Sequence, residues 1–166
     1  MEFDGALYDK AYQLATERHG NQKYGENHPY TVHLCEVASQ VKTFFPTSKF
    51  HLQIAALLHD ILEDTQTTFD ELYKGFGKEI AEVVFAVTNE SGENRKARHL
   101  KTYPKIKANP DAILLKLADR LANTRASIGM PIMSMYTKEY KGFREALYEP
   151  GTEADPMWEA LDQLMK

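Results

Sequence analysis

His59 and Asp60 stand side by side in the run Ala55-Ala56-Leu57-Leu58-His59-Asp60-Ile61-Leu62-Glu63-Asp64, and an acidic pair, Glu63-Asp64, closes it one helical turn later. Leu52, Ile54, Ala55, Ala56, Leu57, Leu58, Ile61 and Leu62 cover nearly every direction around a helix, which predicts a core segment. An ionised aspartate in a core is costly unless it is paired or coordinates a metal. Residues i and i+4 share a helix face, so His59 falls beside Glu63 and Asp60 beside Asp64. All four can therefore project into one cavity, the outline of a metal-centred hydrolytic site.

Two further candidate ligands lie elsewhere. His33 follows Pro29-Tyr30 at the start of a second predicted helix, and Asp119 sits in Leu114-Leu115-Lys116-Leu117-Ala118-Asp119-Arg120-Leu121. Lys116, Asp119, Arg120 and Asn123 recur at spacings of three and four, so they line one side of that helix. Taken singly, Asp119 reads as part of a surface stripe, His33 as a half-buried histidine, and Glu63-Asp64 as a solvated helix end. As an ordered set on separate helices, His33, His59, Asp60, Glu63, Asp64 and Asp119 suit one metal-dependent site.

The elements that must position this set are helical almost throughout, which makes the predicted fold all-α. Leu7, Tyr8, Ala11, Leu14 and Ala15 form a first amphipathic stripe, and residues 20–29 form a polar loop. A second helix spans about 30–45 and stops at Pro46; Ser48 is the candidate cap of the third, which carries the His-Asp pair. Thr68 and Glu71 have capping-box spacing for a short helix ending near Gly75. Helices at 77–88 and about 99–108 follow, and Asn109-Pro110 opens a long apolar helix broken at Gly129-Met130-Pro131. Two terminal helices complete the chain, with no strand alternation, repeat or low-complexity tract.

The 166 residues suit one domain spanning 1–166. A hydrophobic share of 43%, a charged share of 27% and a net charge of −4 argue against broad binding to nucleic acid or to an anionic membrane. No apolar run approaches bilayer length, and the acidic N-terminal stretch is unlike a signal peptide. The single Cys35 cannot form an internal disulfide, which suits a reducing compartment; lying two residues from His33, it reads as a small core residue rather than a ligand. The expectation is a cytoplasmic protein. Nothing in the residues fixes its oligomeric state.

In three stretches the chain resembles the HD superfamily of metal-dependent phosphohydrolases. More narrowly, it resembles the alarmone-hydrolase domain of RelA/SpoT enzymes and their small stand-alone relatives. Ala56 through Thr65, then Thr68, Phe76-Gly77 and Val87-Thr88, follow that family's long signature. Lys116-Leu117-Ala118-Asp119-Arg120-Leu121-Ala122-Asn123 matches its second signature, and Pro29-Tyr30-Thr31-Val32-His33 its first histidine motif. The likeness covers roughly residues 6–128, with a weaker echo in Glu139-Tyr140-Lys141-Gly142-Phe143. It implies an HD-domain bundle of roughly eight to ten helices.

It further implies that His33, His59, Asp60 and Asp119 bind one divalent metal, usually manganese, with other divalent ions as alternatives. Two imidazoles and two carboxylates suit a borderline-hard ion that keeps positions open for water and a phosphate oxygen; a closed four-ligand zinc site leaves substrate nowhere to bind. Glu63 and Asp64 would then transfer protons. The implied reaction removes pyrophosphate from the ribose 3′ position of guanosine 3′,5′-bis(diphosphate)-like (ppGpp-like) alarmones. The alternatives are hydrolysis of another phosphorylated nucleotide, or a catalytically silent nucleotide-binding regulator.

Substrate contacts are expected from Lys23, Tyr24, Lys116, Asn123 and Tyr140. The family usually carries an Arg-Lys pair in the loop before Pro-Tyr, whereas this chain reads Gln22-Lys23-Tyr24-Gly25-Glu26. Lys23 keeps one charge for a phosphate, and Tyr24 can stack on a base or simply pack in the loop. Leu34 stands where the family often has Pro, and Ala126 where many relatives offer a hydroxyl. These departures bear on base specificity rather than on the metal ligands. The basic run Arg95-Lys96-Ala97-Arg98-His99 and Lys101 reads as a solvated face, with a distal diphosphate as its alternative partner. Tyr140 and Phe143 either close over the nucleotide or belong to the core, and Trp158 reads as a packing anchor.

Overall fold

Apolar residues at helical spacing, punctuated by Pro, Gly and Asx residues, divide residues 2–166, the part that the computed structural model describes, into ten helices. In chain order they are α1 (Gly5–His19), α2 (Tyr30–Phe44), α3 (Phe50–Leu58), α4 (Ile61–Asp64), α5 (Phe69–Phe76), α6 (Lys78–Val87), α7 (Arg95–Lys107), α8 (Pro110–Ala126), α9 (Met133–Leu147) and α10 (Asp155–Leu164). The all-α expectation holds. One exception lies in the 20–29 loop, where β1 (Lys23–Tyr24) pairs antiparallel with β2 (His28–Pro29), Tyr24 opposite His28. Gly25 makes the turn at φ +65°, a conformation that a side chain would strain.

Helix α3 is the hub. It packs against α1, α2, α6 and α8, and Leu52 through Leu58 are all buried. Leu57 is fully enclosed, so Leu57→Ala should cost about 2–5 kcal/mol in lost transfer energy and cavity formation. Helix α8 is the second buried rod, with Leu114, Leu115, Leu117, Ala118 and Leu121 in the core. Asn109 caps it by accepting from the Ala112 amide, and Pro110 occupies its first turn. With α2 lying against both α3 and α8, three helices frame the region where the candidate ligands meet.

Three local details differ from the sequence expectation. The segment carrying the His-Asp pair is not one continuous helix: α3 ends at Leu58, and α4 restarts after Asp60, whose φ of −104° and ψ of 2° break the helical run. The His59 side chain competes for local backbone, with Nδ1 only 2.6 Å from the Ala56 carbonyl oxygen. Ser48 does not cap α3; the cap position is Lys49, at φ +53°, its ammonium held by Asp111 and Glu153 at 3.0 and 3.3 Å. Helix α7 begins at Arg95 rather than near 99, because Asn94 supplies a cap by accepting from the Ala97 amide. By contrast, the Thr68–Glu71 capping box forms in full. Among the described residues no helix is long and apolar enough to cross a membrane.

Candidate metal centre

The first turn of α2, the break between α3 and α4, and the middle of α8 bring His33, His59, Asp60 and Asp119 together. His33 Nε2 lies 3.0 Å from Asp119 Oδ1 and 3.9 Å from Asp60 Oδ2. His59 Nε2 lies 3.0 Å from Asp60 Oδ2 and 3.4 Å from Asp119 Oδ1. His33, His59 and Asp119 are buried and Asp60 is half-buried. The break in the helix is what turns His59 and Asp60, adjacent in sequence, toward a common point.

The chemistry of these donors fits a divalent cation. The Ala56 carbonyl only accepts, so His59 Nδ1 carries the proton and donates to it. With Nδ1 carrying its proton, Nε2 faces two carboxylates, and either a second proton or a cation is needed among them. Although Asp60 and Asp119 lie within 3.4 Å of it, His59 Nε2 has no well-aligned hydrogen-bond partner among the described residues, and buried His33 Nδ1 has none there either. His33, His59 and Asp60 offer donor atoms all within 4.8 Å of one another, and Asp119 Oδ1 stands 3.0 and 3.4 Å from the two imidazoles. Burial alone would lower the pKa of His59, but Asp60 and Asp119 raise it well above the ordinary value. Burial pushes both carboxyls up, yet they are held low, Asp60 by His59 and Asp119 by Lys116 and the two imidazoles. A proton and a divalent ion thus compete for His59 Nε2.

Outer partners fix both carboxylates. Tyr30 donates its hydroxyl to Asp60 Oδ2 at 2.5 Å, and burial followed by the Asp60 charge raises its pKa, so it remains a donor. Lys116 reaches Asp119 Oδ2 at 3.1 Å, and Asn123 donates to Asp119 Oδ1 at 3.0 Å. Lys116 and Asn123 therefore touch a candidate ligand directly. Arg120, expected on the same side of α8, instead turns into the core over the Tyr136 and Phe143 rings, beside Glu139.

The acidic pair divides. Glu63 lines a narrow cleft with His59, Asp60, Lys116 and Asp119, and accepts from the Asn89 backbone amide at 2.9 Å. Asp64 faces the α1–β1 loop, where Gln22 donates to its Oδ2 at 2.9 Å. Desolvation raises the Asp64 pKa, opposed by the Gln22 hydrogen bond. A larger cavity of about 510 Å³ lies next to the centre, lined by Tyr24, Glu26, Val32, Asn123, Met130 and Tyr136 among others. Tyr24 joins the two: its ring stacks on His33 with centroids 4.6 Å apart, and its hydroxyl donates to Asn123 at 2.8 Å.

Two expected substrate contacts do not reach these spaces. Tyr140 lines neither; its hydroxyl donates to Asp162 of α10, beside Arg144. One turn earlier on α9, Tyr136 lines the cavity instead. Lys23 is exposed and, adjacent to Tyr24 on a strand, points to the opposite face. From the basic run, Arg95 is tied to Glu139 at 2.5 Å and Lys101 to the Ser91 carbonyl at 2.7 Å. Phe143 and Trp158 are core residues. Tyr30, Gln22, Asn89 and Tyr136 carry no expectation from sequence. Tyr30 sits within the first histidine motif, and Tyr136 lies one turn before Tyr140 on the same helix stripe. Gln22 and Asn89 lie on loops without periodic signal.

Residues 11–131 match the HD domain family. Over 120 residues the chain is 38% identical to a guanosine-3′,5′-bis(diphosphate) 3′-pyrophosphohydrolase of Aquifex aeolicus, a match covering 70% of this chain and 17% of that protein. A GTP pyrophosphokinase rsh of Brucella ovis is 37% identical over 131 residues, 72% of this chain and 17% of the relative. The chain thus spans about a sixth of the length of these curated relatives. A solved structure described as a metazoan ortholog of SpoT that hydrolyzes ppGpp superposes with a TM-score of 0.81 at 25% identity, covering 99% of this chain and 96% of that one. The family match takes in all four converging side chains and both members of the acidic pair: this chain belongs to the HD domain family.

Proposed function

We propose that this protein is a divalent-metal-dependent phosphohydrolase that removes pyrophosphate from the ribose 3′ position of ppGpp-like alarmones. The observation that carries the reading is the convergence of His33, His59, Asp60 and Asp119 with a tethered carboxylate, Glu63, in the same cleft. The relatives named for that reaction, and the solved structure described as hydrolysing ppGpp, favour this substrate. Manganese, one ion per chain, is the proposed metal, and residues 1–166 act as a single cytoplasmic unit on a free nucleotide.

His33, His59, Asp60 and Asp119 would hold a divalent ion, which would lower the pKa of a water and polarise a phosphoryl oxygen. The surrounding residues do the rest. Glu63, fixed by Asn89, and Asp64, fixed by Gln22, move protons between the attacking water and the departing ribose oxygen. Lys116 lines the cleft and adds positive charge where phosphate oxygens gather. Tyr24, Met130, Asn123 and Tyr136 give the 510 Å³ cavity a mixed aromatic, apolar and polar lining for a nucleoside.

A second reading, hydrolysis of another phosphorylated nucleotide, is favoured by one observation. Tyr24 already stacks on His33, and Glu26 lines the cavity, so its wall differs chemically from the Arg-Lys pair usual in the family. The deciding experiment offers manganese-loaded protein ppGpp, pppGpp, deoxynucleoside triphosphates and nucleoside monophosphates, reading pyrophosphate and phosphate separately. Fastest turnover of ppGpp or pppGpp with pyrophosphate release is expected. Faster release from another nucleotide would move the assignment to the second reading.

A further inference from the structure

We propose that His19 and Gln22 form a positioning relay that holds the Asp64 carboxylate in its working orientation; this rests on the hydrolase reading above. Asp64 ends a four-residue helix and is exposed. Among the described residues its carboxylate receives one side-chain hydrogen bond, from Gln22 Nε2 to Oδ2 at 2.9 Å. Left alone, an exposed carboxylate at a helix end samples several rotamers, and a small misplacement of a proton-transfer group is expensive in rate.

Gln22 is itself fixed. Its backbone amide donates to the His19 carbonyl at 3.0 Å, and its carbonyl accepts from the Tyr30 amide at 3.1 Å. Its side-chain oxygen, Oε1, lies 2.8 Å from His19 Nδ1. An amide oxygen only accepts, so this contact requires the proton on Nδ1. That bond also sets the amide's direction. Flipped, Gln22 would present its oxygen to the Asp64 carboxylate and its NH₂ group to the imidazole, losing the bond to Asp64.

His19 closes α1, is 6% exposed, and stacks on Tyr30 with ring centroids 4.9 Å apart. Its Nε2 is buried without a hydrogen-bond partner among the described residues, a cost that an apolar ring of similar shape would avoid. Packing therefore does not account for an imidazole here. What the imidazole adds over a phenyl ring is the Nδ1–H donor, and Gln22 uses it.

The test separates this role from simple packing. Asn places an amide NH₂ near the position of His Nδ1 but loses the ring stack; Phe keeps the stack but has no donor. In manganese-loaded protein, Gln22→Leu and His19→Phe should each lower kcat about 10–100-fold, with KM within about threefold and metal content unchanged. His19→Asn should recover most of kcat. His19→Phe combined with Gln22→Leu should be no slower than Gln22→Leu alone, because His19 acts through Gln22. If a His19 variant fails to fold, Gln22→Leu carries the kinetic test. Imidazole ¹⁵N spectra of the wild-type protein should show His19 protonated at Nδ1, and this readout needs no substrate. Wild-type kcat in Gln22→Leu, a loss confined to KM, His19→Asn as slow as His19→Phe, or protonation at Nε2 alone would each overturn the relay. Wild-type protein inert toward every nucleotide, with the Nδ1 proton in place, would instead count against the hydrolase reading.

Discussion

Asp119 Oδ1 lies 3.0 Å from His33 Nε2, so a carboxylate from α8 meets an imidazole from α2 where both side chains are nearly closed to water. Lys116 holds the other oxygen of Asp119 at 3.1 Å, and Asn123 steadies the first at 3.0 Å. Both oxygens of this candidate ligand are thus oriented by outer hydrogen bonds. Asp119→Ala should remove most of the bound metal, read by elemental analysis after gel filtration. Stoichiometric metal in that variant would remove Asp119 from the ligand set.

Glu63→Gln and Asp64→Asn should keep the metal and lose roughly 10²–10⁴-fold in kcat, the usual scale for a general acid or base. Both amides preserve size, and neither position is in the core, so thermal midpoints should shift little. Wild-type turnover in both would return the pair to a solvated helix end.

Much of this site is legible in the sequence because its candidate ligands fall inside periodic apolar helices. His59-Asp60 stands out as a polar pair where the pattern demands core, whereas Asp119 reads by spacing alone as part of a surface stripe and is legible only through its place in the ordered set. What escapes is direction. Arg120 shares its spacing with Lys116 and Asn123 yet turns inward onto Phe143, since helical spacing does not say how far the buried face extends. Tyr136 and Tyr140 lie on one stripe of α9, and only the packing of α10, through Asp162, decides which of them faces the cavity. The break at Asp60 is hidden because a strong apolar period continues across it. Gln22 and Asn89 lie in loops, where long-range contacts leave no local signature.

Tyr24 tests the cavity. Its ring lines the space and packs on His33, while its hydroxyl reaches Asn123. Tyr24→Ala should raise KM about 10–100-fold, the scale of about 1–3 kcal/mol for a stacking platform. Tyr24→Phe keeps the ring and loses only the hydrogen bond to Asn123, so it should stay within about fivefold of wild type, given about 1 kcal/mol for such a bond. Unchanged KM in Tyr24→Ala would place the base elsewhere.

His99 predicts a pH dependence of stability. Burial, then the positive charges of Lys116, Arg95 and Arg120, push its pKa down to about 4, and the Tyr103 hydroxyl lies 3.1 Å from its Nδ1. In the unfolded chain a histidine titrates near 6.5. Between about 4 and 6.5 the unfolded state therefore binds more protons, and folding stability falls as pH falls through that window. The loss attributable to His99 is about 2–3 kcal/mol. Urea unfolding of chelated wild type and His99→Gln should show the wild type gaining on the variant as pH rises from about 4 to 6.5. Parallel curves would mean that His99 is not held neutral by the fold.

The most direct measurement follows pyrophosphate release from ppGpp while manganese is returned to chelated protein in sub-stoichiometric steps. Four converging donors predict no release after chelation, and a linear recovery that levels off at about one manganese per chain, in step with proton release as the ion displaces a proton from the His59 imidazole. Full activity in chelated protein, or recovery that is indifferent to Asp119→Ala, would contradict a catalytic metal at this site.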